Sequence, residues 1–222
     1  MLKKIIKYII FSLLILIFFL WLFRTVYNKI EQKKENSITC ILSADEKNLI
    51  RNGDIILRYG HGLVSDYIVN KFEEPYAISH CGIICKNRNN LKVIHSESSS
   101  FLTAEGIQVQ DFDSFTDAGH KNSIIIVRYN RCKPEDFIKI TETAQYYLDK
   151  KIPFDYAFNP DDTTTMFCSE IIWNVFKDAF NRDIFLNDKN ETDFNQFKNF
   201  YDSTQFDIII NNQLKQTDFK VY

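Results

Sequence analysis

Cys168 stands where a polar stretch, "TTTM" (163–166), gives way to an apolar periodic run. Ile171, Ile172, Val175, Phe176 and Phe180 recur at helical spacing, which predicts a helix with Cys168 in its first turn. Unpaired backbone N–H groups and the helix dipole favour a thiolate there, and the thiolate is the nucleophilic form of cysteine. Packing is the competing reading, since free cysteine is among the most buried residue types. A nucleophilic cysteine also needs a base within reach. The chain has four histidines. His61 lies in the glycine-flanked "YGHGL" and His120 in "DAGHKN", which reads as a solvated turn. His80 and His95 lie in "SHCGIICK" (79–86) and "LKVIHSES" (91–98), two strands expected to form a hairpin across "NRNN".

Alternation puts His80, Gly82 and Ile84 on one side of the first strand, with Cys81, Ile83 and Cys85 on the other. Gly82 beside His80 leaves room for another element to approach. For each histidine taken singly, a hydrogen-bonded core role competes with catalysis. The same composition could suggest a metal site. Cys81 and Cys85 point away from His80, however, and lie roughly 13 Å apart on an extended strand. Neither a metal nor a Cys81–Cys85 disulfide is therefore expected, and no cofactor is indicated.

The elements that must position these residues follow from pattern. "GDIILRYG" (53–60) reads as a strand bounded by glycines and "GLVSDYIVNKF" (62–72) as a helix. "GIQVQDF" (106–112) and "NSIIIVRYN" (122–130) are further strands. Residues 134–149 read as a helix, with Pro134 at its start, Glu135 and Asp136 in its first turn and lysines beyond its end. "FDIII" (206–210) is a last strand. The order implies an α+β domain with helices beside an antiparallel sheet.

The first 35 residues have another character. From Ile5 to Phe23 the run is uncharged but for Lys7, and nearly all of it is apolar. As a helix it spans roughly 28 Å, close to the hydrocarbon thickness of a bilayer. Trp21 and Tyr27 suit the interface. Leu22-Phe23-Arg24 follows instead of a small-residue cleavage site, so an uncleaved anchor is preferred to a removed signal peptide. Lys3, Lys4 and Lys7 favour a cytoplasmic N-terminus, although Arg24, Lys29, Lys33 and Lys34 pull the other way. The expected division is an anchor over 1–27, a linker over 28–45 and one domain over 46–222. The domain is expected outside the cytoplasmic membrane. Of the chain's 29 acidic residues only Glu31 and Glu35 fall in this segment, against seven of its 27 Lys/Arg. The body is thus acidic, which argues against nucleic-acid binding. Five sparse cysteines without a CxxC pair indicate neither a zinc ribbon nor a disulfide scaffold.

Two blocks together resemble a known family. "GDIILRYGHGLVSDYIVNKFEEPYAISHCGII" and "FDYAFNPDDTTTMFCSEIIW", in that order, are similar to the circularly permuted papain-like amidases of the YiiX/YebB type within the NlpC superfamily, and "FNQFKNFYDSTQFDIII" loosely resembles the family's ending. The resemblance implies a papain-like fold in which the histidine strand precedes the cysteine helix. It implies Cys168 as nucleophile, with its backbone N–H in the oxyanion hole, and His80 as general base and acid. The third polar residue is His95, where relatives often carry Glu, with Glu97 as the alternative. Asp155 and Tyr156 fall in the family's aromatic-Asp region, either shaping the pocket or serving as turn and packing residues. Ser169 and Glu170 are expected to support the helix start. The implied activity is hydrolysis of an amide or ester in a cell-envelope peptide or a lipid-like, acylated substrate. Acyl transfer of the lecithin–retinol acyltransferase kind and a non-catalytic envelope-binding module are the alternatives.

Overall fold

A computed structural model describes residues 2–35, 42–88, 90–98, 105–185 and 196–213. Helix α1 (Leu2–Glu35) contains the apolar span, and none of that span's most apolar stretch is buried against the rest of the chain. A short helix α2 (Ala44–Leu49) follows, opened by a reciprocal cap between Ser43 and Glu46. Strand β1 (Ile55–Arg58) leads into α3 (Leu63–Phe72), then β2 (His80–Asn87), β3 (Asn90–Glu97) and β4 (Gly106–Asp111). Helix α4 (Phe112–Asp117), β5 (Ile125–Tyr129), α5 (Pro134–Asp149), α6 (Cys168–Phe180), a 3-10 turn over Phe197–Phe200 and β6 (Phe206–Asn211) complete the order.

All six strands form one antiparallel sheet in the order β4-β3-β2-β1-β5-β6. Both faces are covered, so the central strands are apolar on both sides rather than alternating. On one face α5 and α6 pack over Ile55, Leu57, Cys81, Ile83, Ile94, Ile125 and Val127. Ile171, Ile172, Val175 and Phe176 of α6 are wholly buried there, each stabilising the fold by about 1.5–3 kcal/mol. On the other face Phe112 and Phe115 of α4 pack with Ile56, Ile84, Val93 and Ile126.

The expected helices 62–72 and 134–149 and the 79–98 hairpin are present. The turn expected at His120 is present, its carbonyl accepting from the Ser123 N–H at 3.2 Å, but its ring is half-buried rather than solvated, with centroids 4.1 Å from Tyr59 and 4.5 Å from His61. The strand expected over 106–112 ends one residue early, because Phe112 opens α4. Asp54 immediately precedes β1 and is held by Arg128, whose Nε and Nη2 donate to its carboxylate at 2.7 and 2.8 Å.

Candidate active site

Cys168 is the first residue of α6, and the segment before it is fixed from three sides. Phe154 and Met166 form a parallel bridge, Ser96 Oγ of β3 donates to the Met166 carbonyl at 2.6 Å, and the Phe167 N–H donates to the Glu170 carboxylate at 3.2 Å. The last bond is the helix-start support expected of Glu170. Burial raises the Glu170 carboxyl to about 7, against the pull of that N–H. The Cys168 thiol is nearly buried, at 9% exposure. Its pKa is lowered all the same. The Cys81 thiol is the largest cause, and backbone N–H groups of Ser169, Cys81 and Cys168 itself add to it against burial. Burial and the same contact push Cys81 well above the usual thiol range. The pair therefore ionises at Cys168, with Cys81 as hydrogen-bond donor.

His80 opens β2 opposite Arg58 of β1. The β2–β3 register pairs Ile83 with Ile94; continued toward the strand ends, it sets His95 opposite Gly82 and Glu97 opposite His80. His80 Nε2 and His95 Nδ1 are 2.9 Å apart and share a hydrogen bond. Glu97 lies 3.7 Å from His95 Nδ1, too far for one. Phe115 floors the pair, with ring centroids 5.6 Å from His80 and 5.1 Å from His95. The room expected at Gly82 is taken by β3. A Cβ there would come within 2.4 Å of Val93 Cγ1 and 3.1 Å of His95 Cβ.

His80 and His95 lie on the α4 face of the sheet, while Cys81 and Cys168 lie on the α6 face. The two sets meet at one sheet end, where Cys81 follows His80. Among the described residues no hydrogen bond joins His80 to Cys168. The Nε2 of His80 is engaged by His95.

Arg58 is the residue the sequence reading passed over. It is 2% exposed. It stacks over the Phe115 ring at 4.0 Å, donates to the Phe115 carbonyl and approaches Glu97 at 3.5 Å. Burial and the Arg58 charge lower both histidines, His80 well below its ordinary value and His95 to about 3. The same charge acts favourably on the Cys168 and Cys81 thiolates. An arginine in the otherwise apolar "IILR" was the signal available. Asp155 is buried, its carboxylate accepting from the backbone N–H groups of Ala157 and Asn159 at 2.7 and 2.6 Å. Tyr156, next to it, is exposed.

Donor atoms of His80, His95 and Glu97 lie within 4.8 Å of one another, the spacing a metal ion would need. The set does not suit one. Arg58 already faces Glu97, its fixed charge opposes a cation beside both imidazoles, and the two ring nitrogens share a proton between them.

Residues 49–206 match the permuted papain-like amidase enzymes of the YaeF/YiiX kind, the C92 peptidase family. The chain belongs to that family. It is accordingly a papain-like cysteine amidase or peptidase in kind, with the histidine strand ahead of the cysteine helix. A crystal structure of the metalloprotein yiiX from Escherichia coli O157:H7 superposes with a TM-score of 0.50 at 21% identity, covering 60% of this chain and 68% of that one. At that identity the likeness extends to the fold alone. No curated protein matches the chain.

Proposed function

We propose that the protein is a membrane-anchored cysteine hydrolase that cleaves an amide or ester bond in a cell-envelope peptide or an acylated, lipid-like substrate. The observation that carries this reading is the Cys168 thiol at the mouth of α6, favoured as thiolate by Cys81 and three backbone N–H groups, at the sheet end that holds the His80–His95 pair. The Cys168 thiol gives its proton to His80 Nδ1 as Sγ attacks the substrate carbonyl carbon, and Cys81 with the backbone N–H groups favours the sulfur anion that forms. For Nδ1 to accept, His80 Nε2 must carry the ring proton and donate it to His95 Nδ1. His95 thus fixes the tautomer and the ring plane, the role of a third residue. Burial and Arg58 keep both rings neutral at rest, so His80 begins as a base. As imidazolium it protonates the leaving group, and water then releases the acyl group from sulfur. Glu97 supports the site through Arg58. Asp155 sets the turn before Cys168 and presents Tyr156 at its rim.

The test uses the full-length protein in membranes with a panel of acyl and peptidyl thiol-reactive probes. Cys168→Ala should abolish labelling, and His80→Ala should reduce its rate by about a hundredfold, within the usual range for a general base. Undiminished turnover by Cys168→Ala on a verified substrate would overturn the mechanism.

A further inference from the structure

The end of the sheet that carries the site also carries exposed apolar side chains on two elements. Helix α3 leaves β1 after Arg58 and returns to β2 at His80, so it caps that end. Val69 turns inward to pack with Tyr59 and Ala77. Leu63, Val64 and Tyr67 turn outward, Val64 and Tyr67 by more than 60%. Tyr156 and Phe158, in the turn that precedes Cys168, are exposed as well. The segment carrying them is at the same end, because Ile107, which follows Gly106 at the start of β4, donates its N–H to the Ile152 carbonyl at 2.9 Å.

The apolar span of α1, Lys4–Tyr27, comes to this end of the domain. Tyr27, its last residue, donates its hydroxyl to Asp66 of α3 at 2.7 Å, and the Tyr59 hydroxyl donates to the same carboxylate. One acidic side chain on α3 is thereby clasped between the end of the span and the end of β1. We propose that α3 lies in the membrane interface, so that the catalytic end of the sheet faces a lipid bilayer surface through Leu63, Val64 and Tyr67. This rests on the reading that α1 spans the membrane.

The dimensions support it. A side-chain hydrogen bond from the last residue of a span holds α3 next to the hydrocarbon boundary. The headgroup layer is about 5–7 Å deep on each side, so outward apolar side chains on α3 reach lipid. Tyr67 suits that layer. Lys71, one turn on, sits over the Tyr67 and Phe72 rings at 5.8 and 5.5 Å, where an ammonium meets lipid phosphate. Exposed Ile138 of α5 has no link to the span and serves as the control. The consequence is chemical. The scissile bond would arrive laterally from the bilayer, so the substrate class is one carrying an acyl chain.

The test is tryptophan quenching by phosphatidylcholine brominated near the headgroup end of its acyl chains, with the full chain reconstituted in vesicles. The protein has two tryptophans, Trp21 in the span and Trp173 in the body. Loss of Trp21 emission reads insertion of α1. In a Trp21→Phe background, Val64→Trp and, independently, Tyr67→Trp should each lose about half of their added emission, while Ile138→Trp keeps nearly all of it, as expected for side chains buried a few ångströms into the acyl boundary. Quenched Trp21 with unquenched Val64→Trp and Tyr67→Trp would overturn the proposal and leave the anchor standing. If those two reporters were instead blue-shifted without quenching, the face would belong to a protein partner, which also overturns it. Unquenched Trp21 would overturn the anchor and, with it, this inference.

Discussion

In the mechanism we propose, Cys168 is activated by donors rather than by a resting imidazolium. Both histidines are held neutral by burial and Arg58, so the thiolate depends on Cys81 and on the start of α6. Alkylation of Cys168 should therefore titrate with a midpoint below the ordinary thiol value. In Cys81→Ala the midpoint should rise by about one pH unit, the worth of one hydrogen bond to a charged group, and Cys81→Ser should restore most of the shift. An unchanged profile in Cys81→Ala would assign Cys81 to packing alone. The histidines make a second prediction. Their folded pKa values lie below the unfolded value, so the unfolded chain takes up protons first as pH falls. Stability is complete above about pH 6.5 and is lost from there down toward the folded values, at about 1.4 kcal/mol per pH unit for each histidine. Denaturant midpoints at pH 7 and pH 5 should differ less in His95→Gln than in the wild type. At this scale the placement of Cys168 at a helix start and of His80 and His95 on paired strands was legible, because both are local patterns. Arg58 and Cys81 were not, because their importance comes from what β1 and α6 bring beside them.

The elements repeat that division. Helix α5 spans Pro134–Asp149, the expected range, because its start and its apolar period are both written locally. Helix α4 has six residues with two buried phenylalanines, too short to show a period, yet its Phe115 floors the histidines. Gly82 shows how an element controls the site. Gly82→Ala would force Val93 and His95 away from β2, costing about 1–3 kcal/mol as an overpacked core position does. Probe labelling should fall further than stability, because the 2.9 Å contact between the histidines is lost. Wild-type labelling in a folded Gly82→Ala would show that His95 need not touch His80. The start of α6 carries a further test. Glu170 has a folded pKa of about 7, above its ordinary value. The native state therefore holds that proton more tightly, and stability declines as pH rises from about 4.5 to 7. Glu170→Gln keeps an acceptor for the Phe167 N–H and removes the buried charge. It should match the wild type near pH 4 and exceed it above pH 7 in thermal denaturation. A constant offset across that range would mean that the carboxyl titrates normally.

For the whole molecule, the antiparallel hairpin of β2 and β3 could be read from its turn, but the sheet order could not. The pairing of β1 with β5 joins segments some 70 residues apart, and no local pattern encodes it. The span is the opposite case, a long-range property written in one short stretch. No part of its most apolar window is covered by the rest of the chain. Exposing so much apolar surface to water is unfavourable at about 25 cal/mol per Å², which is why we propose a bilayer as its environment. The side on which the domain sits follows from charge only in balance, since basic residues flank both ends of the span. We propose the outer side, which the lysines ahead of Ile9 favour. Sealed vesicles of both orientations, treated with a protease that cannot cross them, decide this. The domain should be digested in right-side-out vesicles and protected in inverted ones, while α1 survives in both. The reverse pattern would put the site in the cytoplasm, and its acyl substrates would then come from the inner leaflet.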